Sequence, residues 1–335
     1  MPPSPRLTRP RVHAALRALV RDVAFVYGQL LRVMVPTLVI VKTLEWLGAT
    51  GWIAAALSPL MGWVGLPESM GLVWAATLLT NLYTGLVVFF DVAGGESLSV
   101  AQVSVLGILM LLAHALPMEV AVARAAGVPV WATLVLRLGG ALALGAALAA
   151  IYGAGGWLGE PVMPVWRPEA VDPGLLAWAL AQGRMLLWVL AVISALMALM
   201  AILRALRVER LLHRALAPVL RLIGIAPAAA NITVVGVTLG ITLGAGLLLK
   251  DVRAGVVSRR DVFLAMAFLG LFHSVIEDTV LILLLGADPG IIIGLRLLFA
   301  LVVVGVLARL PVLQAPPAAD GLDARLCLDE RGPGG

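Results

Sequence analysis

Charge is what this sequence has least of. Asp, Glu, Lys and Arg make up 13% of its 335 residues, about half the ~25% of an ordinary soluble domain. Aromatic residues are 6% and hydrophobic ones 61%, and the mean hydropathy is +1.05. One water-soluble core cannot absorb that much apolar surface, because cores stop growing at domain size. Lipid is therefore the solvent for most of the chain. That excludes soluble enzymes, secreted disulfide scaffolds and nucleic-acid binders. Cysteine is nearly missing too: Cys327 stands alone in a polar tail, so no disulfide framework or cysteine metal centre can form within one chain. There is no His-Glu-x-x-His motif, and His114 and His273 lie far apart in sequence. A zinc hydrolase is disfavoured and no metal ligand set is expected. Without a Walker-type glycine loop, ATP is not the direct driver. Residues 1–22 are rich in arginine and proline with no compact apolar run, so no cleavable signal peptide is expected.

What is present is apolar runs of membrane length. A helix needs about 20 apolar residues to cross. Segments 23–47, 101–122, 127–152, 175–203 and 263–285 meet that length, and 291–307 is short but strongly apolar. Six crossings are expected. Two further runs, 71–90 and 231–249, are long enough but carry polar residues or glycine at their middles: Thr80, Asn81, Tyr83 and Thr84 in the first, Gly236, Gly240, Gly244 and Gly246 in the second. Backbone that breaks at mid-depth must line protein rather than lipid, so both read as re-entrant hairpins. Segments 52–64 and 211–223 are too short to cross and read as interfacial helices. Trp46, Trp52, Trp63, Trp157 and Trp166 fall near the predicted interfaces and read as a belt.

The two halves match at a nearly constant spacing of 159. Pro59 falls on Pro218, Gly65 on Gly224, His114 on His273, Glu119 on Asp278, Gly127 on Gly286 and Arg137 on Arg296. The chain reads as a duplicated unit, and charge orients the copies. Between Glu45 and Glu68 there is no Lys or Arg, whereas the matching stretch holds Arg204, Arg207, Arg210, Arg214 and Arg221. Short basic loops stay cytoplasmic, so the copies are expected to be inverted, with the amino terminus inside. The expected layout is a basic cytoplasmic segment over 1–22, repeats over 23–152 and 174–311, a periplasmic linker over 153–173 and a disordered cytoplasmic tail over 312–335. The fold class is an all-α polytopic membrane protein of two inverted repeats.

Inverted repeats with broken helices place a site at the bilayer midplane. Pro117 lies between His114 and Glu119 and is expected to break that helix by its missing N–H and its clash with the carbonyl of Ala113. The second copy carries His273, Ser274, Glu277 and Asp278 without a proline, so a break there is less secure. Intramembrane carboxylates mark function by default. Glu119, Glu277 and Asp278 are the candidate charges and His114 and His273 the candidate proton carriers. Asn81, Thr84 and Thr242 at the hairpin tips offer neutral oxygens, or merely satisfy freed backbone there. Glu119 and Asp278 could instead neutralise Arg137 and Arg296; the Asp278–Arg296 pair is the one expected to be structural, and Glu119 to bind. Lys42 and Glu45, near a helix end, read as a structural pair.

These residues resemble the Gate, or nucleoside-recognition, family of integral membrane proteins. Its relatives include the concentrative nucleoside cotransporters, the spore maturation membrane proteins and the membrane core of bacterial ferrous-iron permeases. The resemblance covers roughly residues 33–311. It rests on Gly65-Leu66-Pro67-Glu68, Asn81-Leu82-Tyr83-Thr84-Gly85, His114 through Glu119, His273 through Thr279, Gly286-Ala287-Asp288 and Arg296. It implies, in each repeat, an interfacial helix, a re-entrant hairpin, a broken helix and a closing helix, with solute and sodium bound at hairpin tips and broken-helix carboxylates. The expectation is a transporter-like protein of a bacterial or archaeal inner membrane, not an enzyme. It would move a small polar solute, nucleoside-like on the resemblance, or an ion, coupled to sodium or protons. Its partners would be lipid, the solute and, by self-association, further copies of itself. Two alternatives stay open: an assembly factor that moves nothing, and an intramembrane enzyme with His273 and Glu277 as acid and base.

Overall fold

A computed structural model of the chain describes residues 9–92, 97–164, 174–239 and 257–311. Apart from one antiparallel bridge between Ser99 and Pro161, every regular element among them is a helix. Five are long and apolar enough to span a bilayer: Arg17–Trp46, Val100–Ala125, Val130–Gly155, Leu175–Ala205 and Gly290–Leu307. The protein is an all-α polytopic membrane protein. Its outer faces carry side chains that lipid can solvate, such as Ile40, Leu187 and Val302, each more than half exposed.

In chain order the elements are α1 (Arg9–Trp46), α2 (Ala49–Trp63), α3 (Met70–Leu79), α4 (Leu82–Val92), α5 (Val100–Leu112), α6 (Leu116–Ala125) and α7 (Val130–Gly155). There follow α8 (Leu175–Ala205), α9 (Val208–Leu222), α10 (Pro227–Leu239), α11 (Arg259–Leu271), α12 (Glu277–Leu283) and α13 (Gly290–Leu307). The sixth expected span, 263–285, is split: α11 and α12 are its two pieces. The span at Val100–Ala125 is interrupted as well, between α5 and α6.

α3 and α4, of 10 and 11 residues, would each rise about 15 Å, half of the hydrocarbon thickness. They pack side by side around a break at Thr80 and Asn81. Asn81 caps the second arm: its Oδ1 accepts from the Thr84 N–H at 3.0 Å and the Thr84 hydroxyl at 3.3 Å. Gly85 lets the arms close, because a Cβ there would run into the Thr77 side chain. A helical hairpin is thus present at the first expected position. In the second copy α10 covers the first part of the expected hairpin, 231–249, and Thr242 and the rest of it lie outside the described residues, as do much of the linker and the 312–335 tail.

The spacing of 159 recurs in the backbone itself. Positive φ occurs at Gly48 (69°) and Arg207 (59°), Gly65 (69°) and Gly224 (102°), Ala115 (46°) and Ser274 (45°), and Gly127 (89°) and Gly286 (92°). α5 and α11 both begin on a serine cap, Ser99 and Ser258. Each closing helix widens into a π-turn, Val135–Gly139 and Gly290–Leu295, where its arginine leaves. The copies interlock through small residues, which let helix backbones approach closely: a Cβ on Gly107 of α5 would strike Ile282 of α12. Lys42 and Glu45 form the expected pair at 2.9 Å, and Trp46, Trp52, Trp63 and Trp157 are all mostly exposed.

Candidate functional site

Both broken helices stop two residues before a histidine. α5 ends at Leu112 and Ala115 takes the left-handed conformation; α11 ends at Leu271 and Ser274 does the same. For a residue with a Cβ that conformation costs roughly 1–2 kcal/mol, so the surroundings must hold it. They do so by capping freed backbone. His114 Nδ1 donates to the Met110 carbonyl at 3.0 Å, and His273 Nδ1 to the Leu269 carbonyl at 2.7 Å. Arg137 Nε donates to the Leu112 carbonyl and Arg296 Nε to the Leu271 carbonyl, both at 2.9 Å. The Ala115 N–H finds the Thr77 carbonyl on the hairpin, and the Val275 N–H finds Val237 on α10, both at 3.0 Å. A cation at a helix C-terminus is also favoured by the macrodipole.

Pro117 therefore does not make the break. It occupies the first turn of α6, where a missing N–H costs nothing. The proline-free copy, whose break is the less secure one in the sequence, is broken at the same place, because the caps rather than the proline hold the break open.

The breaks bring both copies to one buried centre. His114 and His273 rings lie 5.0 Å apart, centroid to centroid. Glu119 Oε1 sits 3.1 Å from His114 Nε2 and 3.4 Å from His273 Nε2. Its Oε2 meets Arg137 Nη1 in an ion pair. Asp278 Oδ2 is 3.9 Å from His114 Nε2, and Asp278 stands within electrostatic reach of Glu277, Arg296 and Arg137. Glu119, Arg137, His273 and Arg296 are at most 2% exposed. No point in an apolar body is harder to place charge in, so each charge must be matched.

The pairing differs from the expected one. Glu119, expected to bind, is the partner of Arg137. Arg296 forms no ion pair among the described residues: it donates to the carbonyls of Leu271, Leu111 and His273 and lies over the Phe272 ring at 5.2 Å. Asp278 and Arg296 are equivalent to Glu119 and Arg137 in sequence, yet the equivalent bridge is not made. Glu277 accepts from the Tyr83 hydroxyl at 2.7 Å, tying the first hairpin to the second broken helix. Ser274 supplies the left-handed residue, and its carbonyl accepts from the Asp278 N–H at 3.0 Å. Asn81 and Thr84 are occupied with each other at the hairpin tip. Three groups were not singled out as site residues in sequence: Tyr83, Thr77 through its carbonyl, and Thr279. Tyr83 had a signal, being a polar aromatic beside Asn81; the others are tertiary. A cleft of about 490 Å³ opens elsewhere, among Val64, Gln102, Tyr152 and Trp157, and touches none of the candidate residues.

No family model matches the chain, and no solved structure does. The chain is 28% identical over 258 residues to an "Uncharacterized membrane protein YvoD" of Bacillus subtilis (strain 168), covering 76% of this chain and 81% of that one. The likeness spans most of both chains and agrees with the fold on one point: this is a multi-pass membrane protein.

Proposed function

We propose that the protein is a transporter-like membrane protein whose two copies close on one buried polar centre, and that it moves a small polar solute or ion on a sodium or proton gradient. One observation carries this reading. Asp278 Oδ2, Thr279 Oγ1, Arg137 Nη2 and Arg296 Nη1 are buried with no hydrogen-bond partner among the described residues. Buried polar atoms are nearly always satisfied, and each one left alone costs about 1–3 kcal/mol. Donors and acceptors held unpaired between two broken helices suit a polar guest that presents both. Interrupted helices at membrane depth are also where secondary transporters hold their substrates.

The arginine contrast between the copies supports an inverted arrangement with the amino terminus inside an inner membrane. The motifs from Gly65 to Arg296 support membership of the Gate family and, within it, a nucleoside-like solute. A second reading has its own observation: the Glu119–Arg137 ion pair and the arginine caps would glue helices in an assembly factor that moves nothing. The enzyme alternative gains least, because His273 faces Glu119 while Glu277 is held by Tyr83.

A thermal-shift screen of the purified protein against nucleosides, amino acids, metals and sodium, followed by uptake into proteoliposomes, tests the proposal. One solute class should raise the melting temperature and be taken up under an imposed gradient. Binding and uptake absent for every class would leave the assembly reading standing.

A further inference from the structure

We propose that His114, Glu119 and His273 form a binding site for one divalent transition-metal ion of the zinc type. The argument starts from tautomers. A backbone carbonyl can only accept, so His114 Nδ1 and His273 Nδ1 each carry the proton they donate to Met110 and Leu269. In the neutral ring Nε2 is then a bare lone pair. Both Nε2 atoms lie close to one carboxylate oxygen, Glu119 Oε1, at 3.1 and 3.4 Å. Three electron-rich atoms, all within 4.8 Å of one another, face each other in a buried space. They repel unless a cation sits among them.

The distances select the cation. A proton on either Nε2 would make a charge-assisted bond to the carboxylate, which runs about 2.7–2.9 Å. Donors around tetrahedral zinc lie about 2.0–2.2 Å from the metal, which separates neighbouring donors by about 3.3–3.4 Å. The two contacts to Oε1 fall near that edge length.

The surroundings also match a metal centre. Ligating histidines almost always donate the other ring N–H to a carbonyl or carboxylate, and both do so here. Arg137 holds Oε2 and so fixes Oε1 toward the histidines. Asp278 Oδ2, buried and without a hydrogen-bond partner, lies 3.9 Å from His114 Nε2 and is the next oxygen that could serve as a fourth ligand. Three carboxylates, Glu119, Glu277 and Asp278, face two guanidinium groups, which leaves negative charge for an ion to neutralise. Imidazole and carboxylate together suit zinc and its neighbours rather than calcium or magnesium.

Occupancy is a separate matter from transport. The test uses full-length protein in detergent, free of any affinity tag, stripped with chelator and titrated with Zn²⁺ or Co²⁺ by calorimetry. Cobalt absorption reports the geometry. One ion per chain should bind, with tetrahedral cobalt bands. Removing outer-shell partners of metal sites costs 10–100-fold, so His114→Asn and His273→Asn should each weaken binding about 100-fold or more. His213→Ala, on exposed α9, should change nothing. Melting curves without metal show whether each variant is folded. If the wild type binds neither ion at micromolar concentration, or if the folded histidine variants bind as tightly as it does, the metal site is wrong and a shared proton takes its place. Metal binding without uptake of any solute would remove the transport reading alone; uptake of a solute without metal binding would remove this one alone.

Discussion

At the scale of single residues, the two arginines separate a bridge from a cap. Arg137 joins Glu119 and also caps the Leu112 carbonyl; Arg296 caps three carbonyls and bridges nothing among the described residues. Breaking a buried pair from one side costs about 3–5 kcal/mol, because a charge is left stranded. Glu119→Gln should therefore lower the stability measured in detergent by that order. Arg137→Met in the same chain should restore part of it, the lost Leu112 cap limiting the rescue. Asp278→Asn and Arg296→Met should instead couple more weakly than the first pair, because the two act on each other through space without an ion pair. Strong coupling in the second cycle and none in the first would reverse the assignment. The sequence named all four residues, since intramembrane charge at repeated positions is conspicuous. It could not say which carboxylate reaches which arginine, because that depends on rotamers and on a π-turn that only packing sets.

At the scale of elements, the hairpin and the breaks show how far local signals reach. Polar residues at Thr80 and Asn81 inside an apolar run announced a turn, and α3 and α4 flank that turn. Proline was a poorer guide. Its absence from the second copy made the break there look less secure, yet α11 stops at Leu271 because caps arrive from α13 and α10, elements distant in sequence. The hairpin depends on one close approach, between Gly85 and Thr77. Gly85→Ala should force the arms apart, and overpacking of this kind costs about 1–3 kcal/mol. Since the Thr77 carbonyl holds the Ala115 N–H at 3.0 Å, the disturbance should also reach the first break. Thr77→Ala removes the hydroxyl that the new methyl meets and should recover part of the loss. Melting temperatures of the two single variants and the double variant decide it; a harmless Gly85→Ala would mean that the arms are not closely packed.

At the scale of the whole molecule, the repeat and the charge pattern bear on different questions. The repeat is a property of the backbone: left-handed residues and serine caps recur at matched places, each closing helix holds a π-turn, and α2 and α9 occupy equivalent spans, Ala49–Trp63 and Val208–Leu222. Its sense relative to the bilayer rests on charge. α9 carries Arg210, Arg214 and Arg221, whereas α2 carries no charged residue. If both lay on one face of the membrane, equivalent helices would present a neutral and a basic surface to the same leaflet, against the excess of Lys and Arg that cytoplasmic segments carry. On the proposed inverted reading each copy crosses an odd number of times, and the first hairpin returns to the side it entered from. Single cysteines at Ala55 and Ala215, both exposed, in a Cys327→Ser background, give the measurement. An impermeant maleimide applied to intact cells should label Ala55→Cys, and Ala215→Cys should react only after the membrane is opened. Labelling of both from the same side would show that the copies run parallel. The hairpin, α2 and α9 would then need a different reading from the one their charges suggest.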